Sequence, residues 1–597
     1  MSLKFDPDDF LLNSSWATVL LSERDVAGQI PINFVTISAI SLQAACFGDN
    51  KYERTAAGKC LSNLLAVGYR RFNIDVYWSP ELWRWILCPV SIPQDLPVVT
   101  TSPDPTPATT AGVAEGTVTA EPDESSDELL YDLGPYKCSG GLDLSDLLDV
   151  FKDYFQDTNS GLVIYLRYLS LRLHAAADPT SADEPASTVA SGQLPTGSDR
   201  VSSIVKDKLG SYIYDPSTLH EDRRNLNDSW YKVEDAYKPI VQYFTIDEDS
   251  QGKQSTPDGW PSAKYVQSAA ERRLLVEYGS VDPQLGSYDL SEGNEDIFPL
   301  GYLTSPVPVS AANNGSLDFG CLYDSDQTDI SKVNASWAIS NHIPLPNNLS
   351  TDQSLSYISN LVVNLTTCGI TSTLNNTLFS DTADNDPDPY RNLTLSFSWA
   401  WALGQPAVIP DDPNPSEAED HRCAVMDLSY DGHWRTANCS QSRRAACRIN
   451  NHPFLWSLSP NPASYSDAYT NACPEQSTFS VPRTGLENTY LYRHLLSQSS
   501  SLIDPTSEDQ LKHEIWIDFN SIDVETCWVT GGPDETCPYT SDPDQLERRT
   551  VLVAAIAGIV ICIIAALTLF VKCNANRRNS RRNKRVIQGW EYEGVPS

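Results

Sequence analysis

Side chains able to transfer protons near neutral pH are unevenly distributed along the chain. Of the 8 histidines none precedes His174, which ends a predicted strand. Upstream, Asp75 and Glu81 carry carboxylates that can act as a base or bind a metal ion. The sequence favours the alternative, in which His174 only makes local hydrogen bonds. We therefore assign no catalytic residue and keep Asp75 and His174 as the candidates.

Other motifs that carry chemistry are absent from the sequence. It contains no glycine-rich phosphate loop, no His-Glu-x-x-His, no Gly-x-Ser-x-Gly and no Cys-x-x-Cys. The 14 cysteines are explained more economically as disulfides than as zinc ligands. We predict no cofactor and no metal site.

The elements that would position Asp75 and His174 follow an alternating pattern. Apolar periodicity predicts strands at 31–41, 72–77, 161–175 and 274–280 and helices at 57–67, 142–155 and 264–273. Strands alternating with helices predict an α/β domain, a (β/α)8 barrel over residues 1–305. Two segments rich in Pro, Thr, Ala and acidic residues, near 97–130 and 176–202, are predicted to be disordered insertions.

The second half of the chain has a different character. Strand-like segments and tryptophans dominate residues 306–448, which predicts a mainly-β domain. Residues 449–546 form a cysteine-containing region, predicted to lie near a membrane, with one helix at 486–496.

The membrane prediction rests on Val551–Val571, an apolar run without a charged residue, long enough to cross about 30 Å of hydrocarbon. The tail at 572–597 is basic, which keeps it in the cytosol and predicts a single-pass type I membrane protein. The start of the chain lacks a signal-peptide pattern, so we expect the true N-terminus upstream of Met1. The basic residues of the tail are Lys572, Arg577, Arg578, Arg581, Arg582, Lys584 and Arg585.

Composition supports a secretory-pathway location. The formal net charge of −36 disfavours direct binding to nucleic acid. Among the 14 cysteines only Cys562 and Cys573 lie in the predicted span or tail, and the others can pair in an oxidising lumen. Glycosylation is predicted at the Asn-x-Ser/Thr sites Asn13, Asn227, Asn314, Asn334, Asn348, Asn364, Asn375, Asn392 and Asn438.

A family resemblance is carried by the segments 21–36, 41–46, 60–72, 87–89, 173–177, 274–283 and 423–447. Together these segments resemble the fungal maintenance-of-telomere-capping proteins. The resemblance implies a glycosylated membrane protein with a phosphodiesterase-like barrel and a link to telomere capping. Because a lumenal domain cannot contact chromosome ends, any telomere effect should be indirect.

The predicted barrel resembles those of phospholipase C-like phosphodiesterases. In that family the first strand ends in a Gly-Thr-His turn, where this chain has Ser41, and a second motif aligns with Gly68–Asp75. That motif has Asn73 and Asp75 where the family has Asp and Arg. Without the first histidine, the resemblance implies a degenerate barrel that has lost its ancestral catalysis.

The spacing of Trp399, the Gly-Gln-Pro segment at 404–406, Cys423, Trp434 and Cys439 resembles a C-type lectin-like domain. In such lectins, oxygen ligands at two of these positions bind calcium and sugar. Here those positions read Gln-Pro-Ala and Trp-Arg-Thr, so calcium-dependent sugar binding is not expected.

The disulfide predictions follow from both resemblance and proximity. The lectin-like pattern implies that Cys423 pairs with Cys439 and that Cys447 pairs with Cys368. In the barrel, the local choices are Cys46–Cys60 and Cys88–Cys138.

Three functional classes remain open. The first is a non-catalytic membrane receptor or scaffold with an unidentified lumenal protein or glycan partner. The alternatives are an ectoenzyme that uses the barrel mouth and a carbohydrate-binding surface protein. The missing catalytic and calcium-binding residues favour the first class.

Overall fold

The computed structural model of the chain describes most residues up to 538 and a few isolated positions beyond. The described residues are 2–12, 17–93, 98–100, 118–122, 129–159, 164–333, 335–341, 343–344, 351–378, 381–407, 421–538, 567, 586–587 and 590–591.

The α-helices are Asp9–Leu12, Ala17–Val26, Leu42–Cys46, Arg54–Val67, Leu144–Asp157, Val201–Leu209, Pro216–Arg224, Ile330–Val333, Thr351–Thr367, Asp388–Thr394, Tyr465–Asn471 and Gly485–Leu496.

The strands are β1 Ala39–Ser41, β2 Lys51–Tyr52, β3 Arg71–Ser79, β4 Arg84–Ile86, β5 Val98–Thr100, β6 Val118–Pro122, β7 Leu129–Leu133, β8 Tyr136–Ser139, β9 Arg167–Ala175, β10 Asp247–Glu248, β11 Gln254–Ser255, β12 Leu274–Val281, β13 Ser305–Pro306, β14 Ser310–Ala311, β15 Leu317–Phe319, β16 Ala338–Ser340, β17 Thr371–Leu374, β18 Cys423–Asp427, β19 His433–Ala437, β20 Arg444–Ile449, β21 Trp456–Leu458, β22 Ser477–Phe479, β23 Glu514–Asn520, β24 Val586–Ile587 and β25 Trp590–Glu591.

The principal sheet has the parallel arrangement of a TIM barrel. Its strand order is β12-β9-β3-β1-β17-β16-β13, and each neighbouring pair is parallel. β4 pairs antiparallel with β3, and Glu277 of β12 makes a further parallel bridge to Phe298. The predicted barrel is therefore present as a partial barrel.

Apolar side chains on the outer face of this sheet pack against helices. Ile74, Leu171 and Val276 share one core with Leu64 of helix Arg54–Val67 and Phe151 of helix Leu144–Asp157. The second helix begins with a reciprocal capping box, in which the Asp143 carboxylate accepts from the Asp146 amide and Asp146 accepts from the Asp143 amide. Such a cap satisfies amides that have no partner within the helix.

The predicted domain boundary at 305–306 falls inside this sheet. β16 and β17 lie beyond it in sequence, yet β17 pairs directly with β1 and β16 with β17. The boundary was misplaced because these strands are short and separated by long connections, which hides the α/β alternation. The strands of the barrel sheet therefore extend along the sequence as far as Leu374, the last residue of β17.

A second sheet is formed later in the chain, in the order β19-β18-β23-β20-β21, with β22 paired to β20. Trp434 lies fully buried at its centre, with Trp399, Trp401 and Phe519 packed around it. This sheet needs β23, which contributes residues 514–520, so it extends far past residue 448.

The prediction of a lectin-like domain with the boundaries 306–448 is therefore wrong. Its first part supplies barrel strands, and its last part supplies strands that pair with β21, β22 and β23 of the region predicted to lie near the membrane.

The two predicted insertions are not wholly without structure. Within 97–130, β5 and β6 join β7, β8 and β2 in a small sheet, and the rest lies outside the described residues. The segment 176–202 forms short 3-10 turns over the barrel. Its backbone accepts hydrogen bonds from two buried indoles, Trp78 Nε1 to Gln193 at 2.8 Å and Trp85 Nε1 to Asp199 at 2.9 Å. Composition alone misses such an element because its order comes from partners elsewhere.

Three of the four predicted disulfides are present. The structure forms Cys46–Cys60, Cys88–Cys138, Cys321–Cys368, Cys423–Cys439 and Cys447–Cys473. The predicted Cys368–Cys447 pair is wrong because Cys368, in the barrel half, bonds Cys321, and Cys447, on β20, bonds the nearby Cys473.

Within the described residues, no helix is both long and apolar enough to cross a membrane. The predicted span Val551–Val571 lies outside them except for Leu567, as does most of the tail at 572–597.

We expect the Cys321–Cys368 pairing to be measurable through stability. The bond closes a loop with a sequence separation of 47, so substituting Cys321→Ser and Cys368→Ser together should lower the unfolding free energy by about 4 kcal/mol in denaturant titrations. Non-reducing peptide mapping is the direct check. A peptide that links Cys368 to Cys447 would contradict the structure.

Candidate functional site

The inner face of the barrel sheet becomes polar toward the carboxyl ends of its strands. Along β3, Asn73, Asp75 and Tyr77 are half-buried, and the intervening side chains are buried. This two-residue period is the pleat of a strand, which sends alternate side chains to opposite faces. In TIM barrels the carboxyl ends of the strands form the functional face.

The neighbouring strand β9 repeats this pattern in register. Arg172 stands opposite Asp75 and His174 opposite Tyr77. Both Arg172 and His174 are half-buried between buried leucines and Ala175. The register therefore brings Asp75 and His174, the two sequence candidates, to one place at the barrel mouth.

His174 lies between two carboxylates. Its Nε2 is 2.9 Å from Asp75 Oδ1, and its Nδ1 is 2.9 Å from Asp282 Oδ2. The ring also stacks on Tyr77, with centroids 4.9 Å apart. Both ring nitrogens are thus engaged, and the imidazole has no free nitrogen to offer a substrate.

The electrostatics of this arrangement favour the charged imidazolium. Burial alone would lower the pKa of His174, but hydrogen bonds and charge interactions with Asp75 and Asp282 outweigh it and raise the pKa above its ordinary value. An imidazolium with two acceptors is a poor general base, because it already carries the proton that a base must remove.

Arg172 completes the cluster. Its Nη2 donates to Asp75 Oδ2 at 2.8 Å and to Ser41 Oγ at 3.3 Å. Ser41 ends β1, the position at which the phospholipase C-like resemblance places the first catalytic histidine. At this position the chain has a hydroxyl that accepts a hydrogen bond from a guanidinium. Ser41, Asp75, Arg172, His174 and Asp282 are hereafter called the mouth cluster.

A second ion pair lies deeper in the same barrel. The Arg71 guanidinium donates to the Glu277 carboxylate and to the Leu303 carbonyl, the latter at 2.8 Å. Glu277 also accepts from the Leu303 amide at 2.9 Å. Both charged side chains are nearly inaccessible to solvent, so each requires the other.

The second carboxylate considered from the sequence, Glu81, is exposed on the turn between β3 and β4. Sequence reasoning missed Arg172 and Asp282. Asp282 follows β12 directly, so a search for polar residues at the ends of predicted barrel strands would have found it.

The second sheet has its own acidic cluster. Oxygen or nitrogen atoms of Asp427, His513 and Glu514 lie within 4.8 Å of one another, close enough to be tested as a metal site. Both carboxylates already form ion pairs with arginines. Arg435 lies 2.7 Å from Asp427, and Arg443 lies 2.6 Å from Glu514. Because guanidinium groups occupy the oxygens, the cluster is suited to a structural ion-pair network.

The predicted glycosylation sites differ in their surroundings. Asn227, Asn314 and Asn392 are exposed, whereas Asn364, Asn375 and Asn438 are half-buried. Asn13, Asn334 and Asn348 lie outside the described residues.

The parallel partial barrel with a polar mouth defines the class of protein. A family model, the MTC6 partial TIM-barrel domain, matches residues 11–396, which ends just past the barrel sheet. The chain belongs to this family.

Relatives in yeasts extend the match. The chain is 25% identical to a maintenance of telomere capping protein 6 of Candida albicans, with 98% of this chain and 95% of that protein covered. A protein of the same name from Saccharomyces cerevisiae is 27% identical over 66% of each chain. Among solved structures, a calcium-dependent phosphoinositol-specific phospholipase C from Pseudomonas sp. aligns at 9% identity, covering 48% of this chain and 69% of that one, with a TM-score of 0.24.

The raised pKa of His174 predicts a pH-dependent contribution to stability. A folded-state pKa above the unfolded value of about 6.5 means that the contribution is fully present below that value and is lost as the pH rises through the folded pKa. Comparing wild type with His174→Gln by denaturant unfolding between about pH 5 and 8, we expect the stability difference to shrink as pH rises.

The exposed His220 provides the control, because His220→Gln should change stability by less than about 0.5 kcal/mol throughout. A difference for His174→Gln that grows with pH would show that the folded protein holds His174 neutral.

Proposed function

We propose that this chain is a single-pass type I membrane glycoprotein whose lumenal barrel is a non-catalytic scaffold. One observation carries the non-catalytic part, namely that both ring nitrogens of His174 are engaged by Asp75 and Asp282. Phosphodiester cleavage needs a proton acceptor and a proton donor, each contributing roughly 10²–10⁴-fold. The mouth cluster holds its charges in pairs that leave neither role free.

The lumenal location is supported by the cysteines. Disulfides occur in both halves of the folded region, for example Cys46–Cys60 and Cys447–Cys473, and such bonds persist in oxidising compartments. The predicted span Val551–Val571 and its basic flank supply the anchor and its orientation. A glycosylated ectodomain with disulfides fits this arrangement.

The link to telomeres comes from the name of the yeast relatives. With the folded domains in a lumen and a net charge of −36, direct contact with DNA is disfavoured, because the phosphate backbone repels an acidic surface. We therefore propose an indirect contribution, through a lumenal protein or glycan that the scaffold binds.

An ectoenzyme is the second candidate, and the Asp75–His174–Asp282 arrangement favours it. A histidine oriented by carboxylates at the carboxyl ends of barrel strands is a common catalytic device. If a substrate displaced one carboxylate, His174 could donate its proton to a leaving oxygen.

An assay of the full-length protein in detergent separates the two candidates. With phosphatidylinositol and glycerophosphodiester substrates, with and without calcium, we expect no turnover above background. Turnover that is lost in His174→Ala and in Asp75→Asn, but kept in His220→Ala, would overturn the scaffold and establish the ectoenzyme.

The topology has its own test in sealed microsomes. Protease added outside should remove only the tail of about 25 residues, because a single span leaves nothing else exposed, and glycosidase should decrease the apparent mass. Detergent-permeabilised microsomes are the control and should lose the ectodomain. Loss of the ectodomain from sealed vesicles would contradict the proposed orientation.

A further inference from the structure

A groove of about 650 Å³ lies between the end of the barrel half and the second sheet. Three segments form most of it: the end of helix Asp388–Thr394 with the turn after it, the turn at 401–405, and the turn at 429–433 that joins β18 to β19. Val19 and Val363, from two further helices, complete the lining. Its volume falls within the range of about 300–1,000 Å³ typical of ligand pockets. We call it the 392–433 groove.

The lining of the 392–433 groove combines exposed apolar surface with polar groups. Leu403 is 88% exposed and Tyr430 is 51% exposed, so together they present apolar surface in one groove. The Arg435 guanidinium lies over the Tyr430 ring at 5.0 Å and fixes its orientation. Ser429 and Asp431 add hydroxyl and carboxylate groups beside the ring. A sugar, with an apolar C–H face and a rim of hydroxyls, matches such a surface.

One wall of this groove is Asn392, the acceptor of the sequence Asn392-Leu393-Thr394. Asn392 is exposed, and its side-chain amide makes no hydrogen bond with any residue that the structure describes. Asn364 is a useful contrast, because its Nδ2 donates to the Gly315 carbonyl at 3.1 Å and to the Asn360 carbonyl at 2.8 Å.

This contrast matters for the chemistry of N-glycosylation. In that reaction the amide Nδ2 loses one proton and bonds to C1 of the sugar. The C1–O bond to a lipid pyrophosphate donor breaks, and the pyrophosphate leaves with the electron pair. One N–H remains on Nδ2. A sugar on Asn364 would therefore cost at least one of its two hydrogen bonds, whereas Asn392 loses none.

We propose that an N-linked glycan on Asn392 folds back into the 392–433 groove and covers Tyr430 and Leu403 with its innermost sugars. The inference rests on the lumenal location in the proposed function, because sugars are added only there. Attachment at the groove wall makes the contact intramolecular, with an effective concentration in the millimolar range, so a weak sugar contact is sufficient.

The test compares full-length protein from a eukaryotic host with Asn392→Gln and with the control Asn314→Gln, which removes a glycan at another exposed site outside the groove lining. Because Asn314 Oδ1 accepts hydrogen bonds from Ser316, each variant is measured with its sugars and after enzymatic deglycosylation, and the two effects are subtracted. We expect the subtracted effect of Asn392→Gln to be a melting temperature lower by on the order of 2 °C and that of Asn314→Gln to be zero. In a Tyr430→Ser background the effect of Asn392→Gln should disappear, because the two groups act through one contact.

Enzymatic trimming of the folded wild-type protein gives a readout that does not depend on how the variants fold. An endoglycosidase that leaves one sugar on each asparagine should preserve most of the stability, whereas complete removal by an amidase should reproduce the Asn392→Gln value.

Glycopeptide mass spectrometry separates failure of this inference from failure of the proposed function. Sugar on Asn314 with none on Asn392, or equal sugar-dependent shifts of the melting temperature for the two variants, would overturn the groove assignment and leave the lumenal location standing. An absence of sugar from every acceptor site would overturn the proposed function itself.

Discussion

A charge removed from water needs a partner of opposite charge, and this constraint shapes the interior of the barrel. The cost of burying an isolated ion is several kcal/mol, and losing one member of a buried pair typically costs about 3–5 kcal/mol. Arg71 and Glu277 meet this requirement deep in the barrel. At the mouth, Arg172 and His174 pair with two aspartates, but the Arg172 and Asp282 side chains are 34% and 38% exposed, so water weakens these interactions. Because the pairs join β3, β9 and β12, they also fix the register of these strands.

The same constraint joins the barrel to the second sheet. Glu23, on the helix Ala17–Val26, is buried, and one of its oxygens accepts from the Trp399 and Ala400 amides at 3.1 and 2.9 Å. Burial raises the pKa of Glu23, although these hydrogen bonds oppose the shift. Glu487, fully buried on the helix Gly485–Leu496, accepts from Arg448 at 2.9 Å and from the Tyr243 hydroxyl at 2.6 Å.

These shared buried contacts explain why no boundary separates the two sheets. Residues up to 535 behave as one compact unit, since each half supplies partners for charges of the other. Cutting the chain between them would leave Glu23 buried without the Trp399 and Ala400 amides, and would remove the Tyr243 hydroxyl from Glu487, which would keep Arg448.

The sequence was sufficient to predict those elements whose signal is local. The helices Arg54–Val67, Leu144–Asp157 and Gly485–Leu496 have apolar periodicity over several turns, and the alternation in β3 is visible in Arg71–Ser79. β16 and β17 were not assigned to the barrel because they are only three and four residues long and gain their identity from pairing with distant strands. Local patterns carry no information about such pairing.

The sequence was sufficient to predict only part of the candidate site. Asp75 and His174 were found by residue type, but their partners Arg172 and Asp282 depend on the register between β9, β3 and β12. Knowing the partners changes the chemistry expected of His174. Alone at a barrel mouth it would be a candidate general base, whereas the two neighbouring carboxylates raise its pKa and favour its charged form. The polar residues of the mouth cluster pair with one another, and this pairing alone accounts for the arrangement of their side chains.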